Sequence, residues 1–386
     1  MPYFWLTAFV LICLYLAWTG LFYYGWLRTS PWIMQDESCK PGISVVVAAR
    51  NEEVNISKLL GSLLKQDYPL NLYEVIIVDD HSSDQTAGIV NEFKKRHNNL
   101  TYTCLSASQS GRKAALRHGI AISRFPYILT TDADCRVTHR WIETMAGCFV
   151  RARADLIAGP VLMEGDNGFF SKFQQLEHLS LQGSTAGAIN TGNPVMCSSA
   201  NLGFKKEAYL EADNTEPDRI SSGDDVFLLH AMHRQGDKKL FFIKNTDAAV
   251  VTPVGNSPGE FIGQRKRWAS NSRHYKTAGS IFTALLVFFI NAFAVVCLFA
   301  GFLVPGFFLI AAVIFLFKSM IDFLFLYSVT GFFKKRMLMI WFPLIEIIYF
   351  FYSSFTAIAS LFGNSAWKGR IAGNRPHSDG RAELQA

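Results

Sequence analysis

The feature that most constrains this chain of 386 residues is a set of apolar segments, each long enough to cross a lipid bilayer. They lie near residues 3–27, 281–303, 307–327 and 338–362. Half of all residues are hydrophobic and only 18% are charged, which is more apolar than a soluble protein needs to be. The sequence therefore predicts a multi-pass membrane protein.

By composition the chain divides into four parts. Residues 1–28 are expected to form an N-terminal transmembrane helix rather than a cleaved signal peptide, because they lack a basic start and end in bulky aromatic residues. Residues 40–276 have the composition of a globular domain. Residues 280–362 are expected to hold three further transmembrane helices, and residues 363–386 a basic polar tail.

The globular part alternates strand-like and helix-like patterns. The runs ISVVVAA and YEVIIVDD are apolar throughout, which is typical of strands covered on both faces. Amphipathic patterns such as NISKLLGSLLKQ lie between such runs. This order predicts an α/β fold built on strand–helix–strand units with a parallel sheet.

The formal charge of +6 does not predict a nucleic-acid partner, because the basic residues are scattered among acidic ones and gather where apolar segments end. The seven cysteines form no CxxC pair, so reduced thiols in a cytosolic domain are expected. Basic residues at 334–336 predict a cytosolic loop between the last two apolar segments. If all four segments crossed the membrane, the basic tail would lie outside the cytosol. Its positive charge favours the cytosolic side, which would require one of the segments to be re-entrant or interfacial.

Three charged residues interrupt the C-terminal apolar segments: Lys318, Asp322 and Glu346. Charges within a span usually face the protein interior or water, so these residues could line a path for an acceptor. Alternatively, Lys318 and Asp322 form an i, i+4 pair that is satisfied between helices.

Two acids, Asp79 and Asp80, stand at the end of the second strand-like run. Ligands of open α/β sheets bind at the carboxyl ends of strands, so a carboxylate there can accept hydrogen bonds from a base or a ribose. We expect Asp80 to contact a nucleotide. One of the two acids could instead cap the following turn or helix.

A second pair of acids, Asp132 and Asp134, follows the apolar run YILTT. In an extended segment residues i and i+2 point to the same side, so both carboxylates can reach one cation. Oxygen ligands suit Mg²⁺ or Mn²⁺, and such a cation can clamp a diphosphate. A lone D-x-D pattern is frequent by chance, so this prediction depends on its place at a strand end.

Asp224 and Asp225 open an amphipathic helical pattern. The helix dipole stabilises a carboxylate at this place in the ionised form that a general base requires. We expect Asp225 to deprotonate an acceptor hydroxyl. The alternative is an ordinary N-terminal helix cap.

The segment QRKRW lies just before the C-terminal apolar segments. Gln264, Arg267 and Trp268 stand at i, i+3 and i+4 on one helical face, with an amide, a guanidinium for phosphate oxygens and an aromatic plane for a sugar. Without the other motifs this group would be interpreted as an interfacial anchor. Lys113, in GRKAALRHG, is a further candidate for donor phosphates.

In their order along the chain, the segments ARNEE, VDDHSSD, TDADC, SGDD and QRKRW resemble the motifs of inverting family-two glycosyltransferases. The resemblance covers about residues 43–275. It is greatest to the membrane-embedded branch with polysaccharide synthases and ceramide or carotenoid glucosyltransferases. It implies a GT-A fold, that is, a Rossmann-like domain with a mixed sheet, here flanked by transmembrane helices.

The resemblance also implies roles for the acids. Asp80 would bind the uracil or ribose of a uridine diphosphate sugar, with Asp79 beside it, while Asp132 would contact the nucleotide and Asp134 the metal. Asp225 would be the catalytic base, and Asp224 would contact substrate.

The basic and aromatic candidates have counterparts as well. Gln264, Arg267 and Trp268 would match the family's Q-x-x-R-W, which holds the diphosphate and the acceptor end. Lys113 would match the lysine of the family's G-K-x-x-A-L stretch, but an inserted residue means that Arg112 or Lys113 could be the phosphate contact. Arg50 stands where many members have a tyrosine.

The resulting prediction is a metal-dependent inverting glycosyltransferase of the cell (inner) membrane with a cytosolic catalytic domain. It would move a sugar from a nucleotide sugar, expected to be a UDP sugar, to a lipid hydroxyl. A processive polysaccharide synthase is the alternative acceptor class, although four segments supply little wall for a polymer channel. A nucleotidyltransferase and a membrane protein that only binds a nucleotide sugar are alternatives from other classes.

Overall fold

The computed structural model describes residues 1–34, 40–213 and 224–361, together with a short strand pair at Ala366–Trp367 and Arg370–Ile371. Most of the basic tail predicted for residues 363–386 lies outside the described residues.

A mixed sheet of seven strands forms the centre of the globular part that the structure describes. In chain order the strands are β1 (Ile43–Ala49), β2 (Tyr73–Asp79), β3 (Leu100–Cys104), β4 (Tyr127–Thr130), β5 (Arg136–Val137), β6 (Leu156–Ala158), β7 (Val161–Glu164), β8 (Leu202–Lys205), β9 (Leu240–Phe242) and β10 (Val250–Pro253). The sheet order is β3-β2-β1-β4-β8-β6-β9, and β5-β10-β7 forms a smaller second sheet.

The strands β3, β2, β1 and β4 are parallel, as the strand–helix order predicts. Strand β8 runs antiparallel to both of its neighbours, β4 and β6, so the complete sheet is mixed. The predicted fold class, an α/β domain with a mixed sheet beside long apolar helices, is confirmed.

The helices, in chain order, are α1 (Pro2–Arg28), α2 (Ile56–Leu63), α3 (Thr86–Lys94), α4 (Arg112–Ile122), α5 (Trp141–Arg151), α6 (Phe169–Asn190), α7 (Lys206–Asp213), α8 (Asp224–Gln235), α9 (Pro258–Asn271), α10 (Ala278–Ala300), α11 (Gly306–Phe332) and α12 (Phe342–Leu361). A 3₁₀ turn at Arg336–Trp341 leads into α12.

Helices cover both faces of the central sheet, which explains why β1 and β2 are apolar throughout. Val45 and Val47 point toward the face covered by α2, α3 and α5. Val46 points to the opposite face, which is covered by α4 and α6 and is continuous with the apolar side chains of α1 and α11. The globular core and part of the helical bundle are therefore one packed unit.

Four helices in the described chain are long and apolar enough to cross a membrane. They are α1, α10, α11 and the segment Arg336–Ser360, which contains the 3₁₀ turn and most of α12. Helix α6 belongs to the globular part in sequence, but it packs along α1 and α11. Through α6, the sheet is connected directly to the apolar helices.

Candidate active site

One cavity of about 1440 Å³ joins the strand-end acids to the long apolar helices. At one end its wall includes side chains from α4, the loop after β4, α8 and α9, among them Asp132, Asp225 and Arg267. At the other end it continues between α1, α6, α10, α11 and α12. The fold thus connects candidate chemical groups with a space between apolar helices.

Arg112, at the start of α4, is a basic residue paired with one of the candidate acids. Its guanidinium forms an ion pair with Asp132. Burial lowers the pKa of Arg112, but Asp132, Asp224 and Asp225 raise it above its ordinary value, so the group stays charged. Of the two candidates for a phosphate contact, Arg112 lines the large cavity, whereas Lys113 lines a smaller neighbouring pocket.

The acids of the D-x-D segment lie on a turn, so the expectation of an extended segment is wrong. Strand β4 ends at Thr130, and the backbone N–H of Cys135 donates to the carbonyl oxygen of Asp132 at 3.1 Å. The turn buries Cys135 beside the sheet. Burial, together with the charges of Asp132 and Glu52, raises the pKa of Asp134 to about 6.

The described residues contain no group of three or more His, Cys, Asp or Glu side chains that could hold a metal ion by themselves. Mg²⁺ is commonly held by only one or two carboxylates together with substrate phosphates. Asp132 and Asp134 would supply the two carboxylates of such a site, and Asp132 lines the cavity.

Asp79 and Asp80 are almost fully buried and do not line the large cavity. The carboxylate of Asp79 accepts the backbone N–H of Ser82 at 2.8 Å and the hydroxyl of Tyr102 at 2.6 Å. These contacts make Asp79 the cap of the turn, the alternative role considered for one of the pair. The side chain of Asp80 lies 3.7 Å from the guanidinium of Arg50, the residue at the family's usual tyrosine position.

The two acids that open α8 both line the cavity but have different surroundings. The carboxylate of Asp225 accepts the backbone N–H of Ser199 at 2.8 Å and that of Val226 at 2.9 Å. Two N–H donors hold this carboxylate in one orientation. Burial raises the pKa of Asp224 to about 6, although Arg112 opposes the shift. Gly223, which precedes this pair, lies outside the described residues.

Helix α9 brings Gln264, Arg267 and Trp268 to the same cavity, as expected for residues on one helical face. Burial lowers the pKa of Arg267. Trp268 keeps 40% of its surface exposed and lies under the guanidinium of Arg265, which is 4.1 Å from the ring centroid. The aromatic plane is therefore held by a second arginine of the QRKRW segment.

Arg265 forms a buried, bidentate ion pair with Glu177 of α6, with N–O distances of 2.9 and 2.5 Å. Sequence reasoning missed this pair, because its two members stand 88 positions apart and no local pattern connects them. Such a fork-to-fork pair fixes geometry as well as charge. This ion pair holds α9 against α6, and with it the helical face that carries Gln264, Arg267 and Trp268.

The charges within the apolar helices form a cluster. Lys318 is fully buried and donates to Asp322 at 2.6 Å and to Glu346 at 2.5 Å, and the hydroxyl of Tyr15 donates to Asp322 at 2.8 Å. The predicted i, i+4 pair is present. Asp322 and Glu346 also line the cavity, so the alternative that they face an acceptor path stays open.

The family described as Glycosyl transferase family 2 matches residues 44–211. The chain is 28% identical over 262 residues to the poly-beta-1,6-N-acetyl-D-glucosamine synthase of Staphylococcus epidermidis, covering 65% of this chain and 60% of that protein. It is 32% identical over 139 residues to the beta-monoglucosyldiacylglycerol synthase of Trichormus variabilis, covering 36% of this chain and 30% of that protein. The match thus spans less than two thirds of either relative.

Among solved structures, the chain is similar to the mannosyltransferase PcManGT from Pyrobaculum calidifontis, which was determined in complex with GDP-Man and Mn²⁺. The TM-score is 0.55 at 17% sequence identity, and the likeness covers 91% of this chain and 97% of that one. A likeness at this identity shows the fold, and it agrees with the predicted GT-A architecture.

Proposed function

Because residues 44–211 form a glycosyltransferase family 2 domain, we propose that the chain is a membrane-bound inverting glycosyltransferase that moves a sugar from a nucleotide sugar to a lipid hydroxyl. The observation that carries the proposal is the single cavity shared by Asp225, Arg267 and the apolar helices. A lipid hydroxyl can enter such a cavity from the membrane, while a nucleotide sugar reaches the acids from the aqueous side.

In this mechanism Asp225 takes the proton of the acceptor hydroxyl as its oxygen attacks the anomeric carbon. The bond to the diphosphate breaks on the opposite side, so the configuration at that carbon inverts. The two N–H groups that hold the Asp225 carboxylate aim it before the substrate arrives. Arg267 and Arg112 stabilise the negative charge that develops on the leaving diphosphate.

A divalent cation, Mg²⁺ or Mn²⁺, would be held by Asp132 and Asp134 and would supply further positive charge to the diphosphate. Glu52 raises the negative charge of this place and favours a cation. The solved relative PcManGT is named with Mn²⁺, which supports the proposal without fixing the metal. Asp80, whose side chain lies 3.7 Å from the guanidinium of Arg50, is proposed to contact the nucleotide.

The donor is proposed to be a UDP sugar and the acceptor a membrane lipid, with the domain of residues 40–276 on the cytosolic face of the cell membrane. The Trichormus relative is named as the synthase of a glycosylated diacylglycerol, which supports a lipid acceptor. The Staphylococcus relative is named as the synthase of a polysaccharide, so a processive polysaccharide synthase is the second candidate.

The test uses the full chain in vesicles of membrane lipid extract, incubated with radiolabelled UDP-glucose, UDP-N-acetylglucosamine or GDP-mannose. Lipid-soluble label is the expected product, and label in a polymer would favour the second candidate. Donor binding without release of nucleoside diphosphate would reject the enzyme in favour of a binding protein.

The same assay tests the base. Asp225→Asn is expected to lower the transfer rate by about 10³-fold, within the range for loss of a general base, while donor affinity stays within about threefold. Asp237→Asn is the control, because Asp237 is exposed and does not line the cavity. A near-normal rate for Asp225→Asn would rule out this residue as the base.

A further inference from the structure

His81 lies in a strained turn just beyond the end of β2. Its φ angle is +57°, a left-handed conformation that glycine adopts freely and other residues only at a cost. The carboxylate of Asp79 holds the turn by accepting the backbone N–H of Ser82 at 2.8 Å. The side-chain oxygen of Asn51, in the turn after β1, accepts the N–H of Ser83 at 2.9 Å. Glycine would suit this backbone better, so a histidine here points to a use of its side chain.

The side chain of His81 reaches the loop that connects β3 to α4. Its Nε2 atom lies 2.9 Å from the carbonyl oxygen of Gln109. A carbonyl oxygen only accepts hydrogen bonds, so Nε2 carries a proton and donates it. Residues 106–110 are exposed, and within the described part of the chain this is the one hydrogen bond that reaches them from outside the loop. His81 therefore holds this loop to the turn after β2.

The same loop forms part of the cavity wall at the end where the acids lie. Ser110 and Gly111 line the cavity together with His81. The next residue is Arg112, which begins α4 and also lines the cavity. Because Gln109 closely precedes Arg112 in the chain, the hydrogen bond from His81 fixes the path by which the loop reaches that guanidinium.

We propose that His81 is a positioning residue: its ring N–H holds the loop of residues 105–111 and thereby places Arg112 against the diphosphate of the donor. This inference rests on the proposed function, in which Arg112 stabilises the leaving diphosphate. It concerns the diphosphate alone, since Asp80 is the residue expected at the base or the ribose. A loop that is ordered before the donor arrives does not have to be ordered at the expense of binding free energy.

The experiment measures the binding of UDP, GDP and their nucleosides to the full chain in detergent with Mg²⁺, by titration calorimetry. His81→Gly removes the ring and suits the turn. Its affinity for the nucleoside diphosphate should fall about tenfold, the size of one lost hydrogen bond, while its affinity for the nucleoside stays within about threefold. His81→Gln carries an amide N–H at the same number of bonds from Cα as Nε2. This variant should keep the diphosphate affinity within about threefold of the unchanged protein.

A double-mutant cycle tests whether His81 acts through Arg112. Arg112→Gln removes the guanidinium and should by itself weaken the binding of the nucleoside diphosphate. Addition of His81→Gly to Arg112→Gln should weaken this binding by less than about threefold more, because no guanidinium remains to be positioned. Fully multiplicative effects of the two substitutions would show that His81 does not act through Arg112.

Arg153→Gly is the matched control. Arg153 also has a positive φ angle, of +50°, and is exposed, but it does not line the cavity. Both glycine variants should unfold within about 3 °C of the unchanged protein, because relief of the left-handed conformation offsets the greater freedom of glycine in the unfolded chain. Arg153→Gly should bind the nucleoside diphosphate as the unchanged protein does.

An unchanged diphosphate affinity in His81→Gly would overturn the inference. An equal loss of affinity for the nucleoside, or a fall in unfolding temperature well beyond that of Arg153→Gly, would also overturn it and make His81 part of the scaffold. Failure of the proposed function is separate, because the unchanged protein would then bind neither UDP nor GDP, or would bind one of them without transferring its sugar.

Discussion

At the scale of single residues, the acids of this site have the same side chain but different surroundings. The carboxylate of Asp79 accepts hydrogen bonds from a backbone N–H of the following turn and from a tyrosine hydroxyl. The carboxylate of Asp225 accepts two backbone N–H groups. Burial raises the pKa of Asp224, where the charge of Arg112 opposes it, and the pKa of Asp134, where the charges of Asp132 and Glu52 add to it. Their roles therefore follow from hydrogen bonds and burial, which the residue type does not reveal.

Asp224 provides a prediction about pH. Burial raises its pKa from 3.8 to about 6, so the folded protein carries a protonated Asp224 below that pH and an anion beside Arg112 above it. The transfer rate should therefore rise with pH up to about 6 and then level off. In Asp224→Asn this acid limb should be shallower and the rate lower, because Asp134, whose pKa is also about 6, then titrates alone in this range.

The stability of the folded protein should fall, whereas the transfer rate rises, as the pH increases from about 4 to about 6. A carboxyl whose pKa is higher in the folded than in the unfolded protein favours folding when protonated, so this contribution is lost as the pH rises from about 4 to about 6. Unfolding temperatures across this range should fall less for Asp224→Asn than for the unchanged protein. An acid limb of unchanged steepness in Asp224→Asn would show that Asp224 does not contribute to the pH dependence of the rate.

At the scale of elements, α6 is the part that connects the sheet to the apolar helices. It crosses α1 where Gly25 and Gly187 meet, and a Cβ atom on either residue would collide with the backbone of the other helix. Close approach of this kind requires residues without a side chain. The same helix contributes Glu177 and His178, so its seat on α1 also positions the cavity wall.

Substitution of these glycines tests the close contact between α1 and α6. Gly25→Ala should lower the free energy of unfolding by about 1–3 kcal/mol, the usual effect of overpacking, because the new methyl group meets the backbone of Gly187. Gly20→Ala is a control in the same helix, since nothing lies within 4 Å of its added carbon. Thermal unfolding in detergent compares the two variants, and equal stability would show that the helices do not meet there as described.

At the scale of the whole molecule, the N-terminal helix α1 packs with α11 and α12 within the helical bundle. Tyr15 of α1 and Asp322 of α11 are 307 positions apart and share a hydrogen bond, and Lys318 adds Glu346 of α12 to the same cluster. Opposite charges in such a place are satisfied by each other, since lipid supplies no partner.

Removal of the cation tests this cluster. Lys318→Met would leave the buried carboxylate of Glu346 and the partly buried one of Asp322 without their counter-charge, and should lower the free energy of unfolding by about 3–5 kcal/mol. Lys95→Met removes an exposed ion pair with Glu92 and should change it by less than about 1 kcal/mol. Thermal unfolding of both purified variants gives the comparison. Equal effects would mean that the cluster is hydrated and not an internal pair.

Much of the architecture could be predicted because it depends on local properties of the chain. The apolar length of four segments, the uninterrupted apolar runs of β1 and β2 and the acids after them are all contiguous in sequence. The i, i+3, i+4 spacing of Gln264, Arg267 and Trp268 likewise placed them on one helical face, and the structure brings them to one cavity.

The sequence by itself determined the α/β domain, the apolar helices and the candidate acids, because periodicity, segment length and strand ends act over a few neighbouring residues. Only the tertiary structure decided that Arg112 rather than Lys113 lines the cavity and that Glu177 holds Arg265. Those outcomes depend on which distant segments pack together and on the water that packing removes, and no local pattern records either.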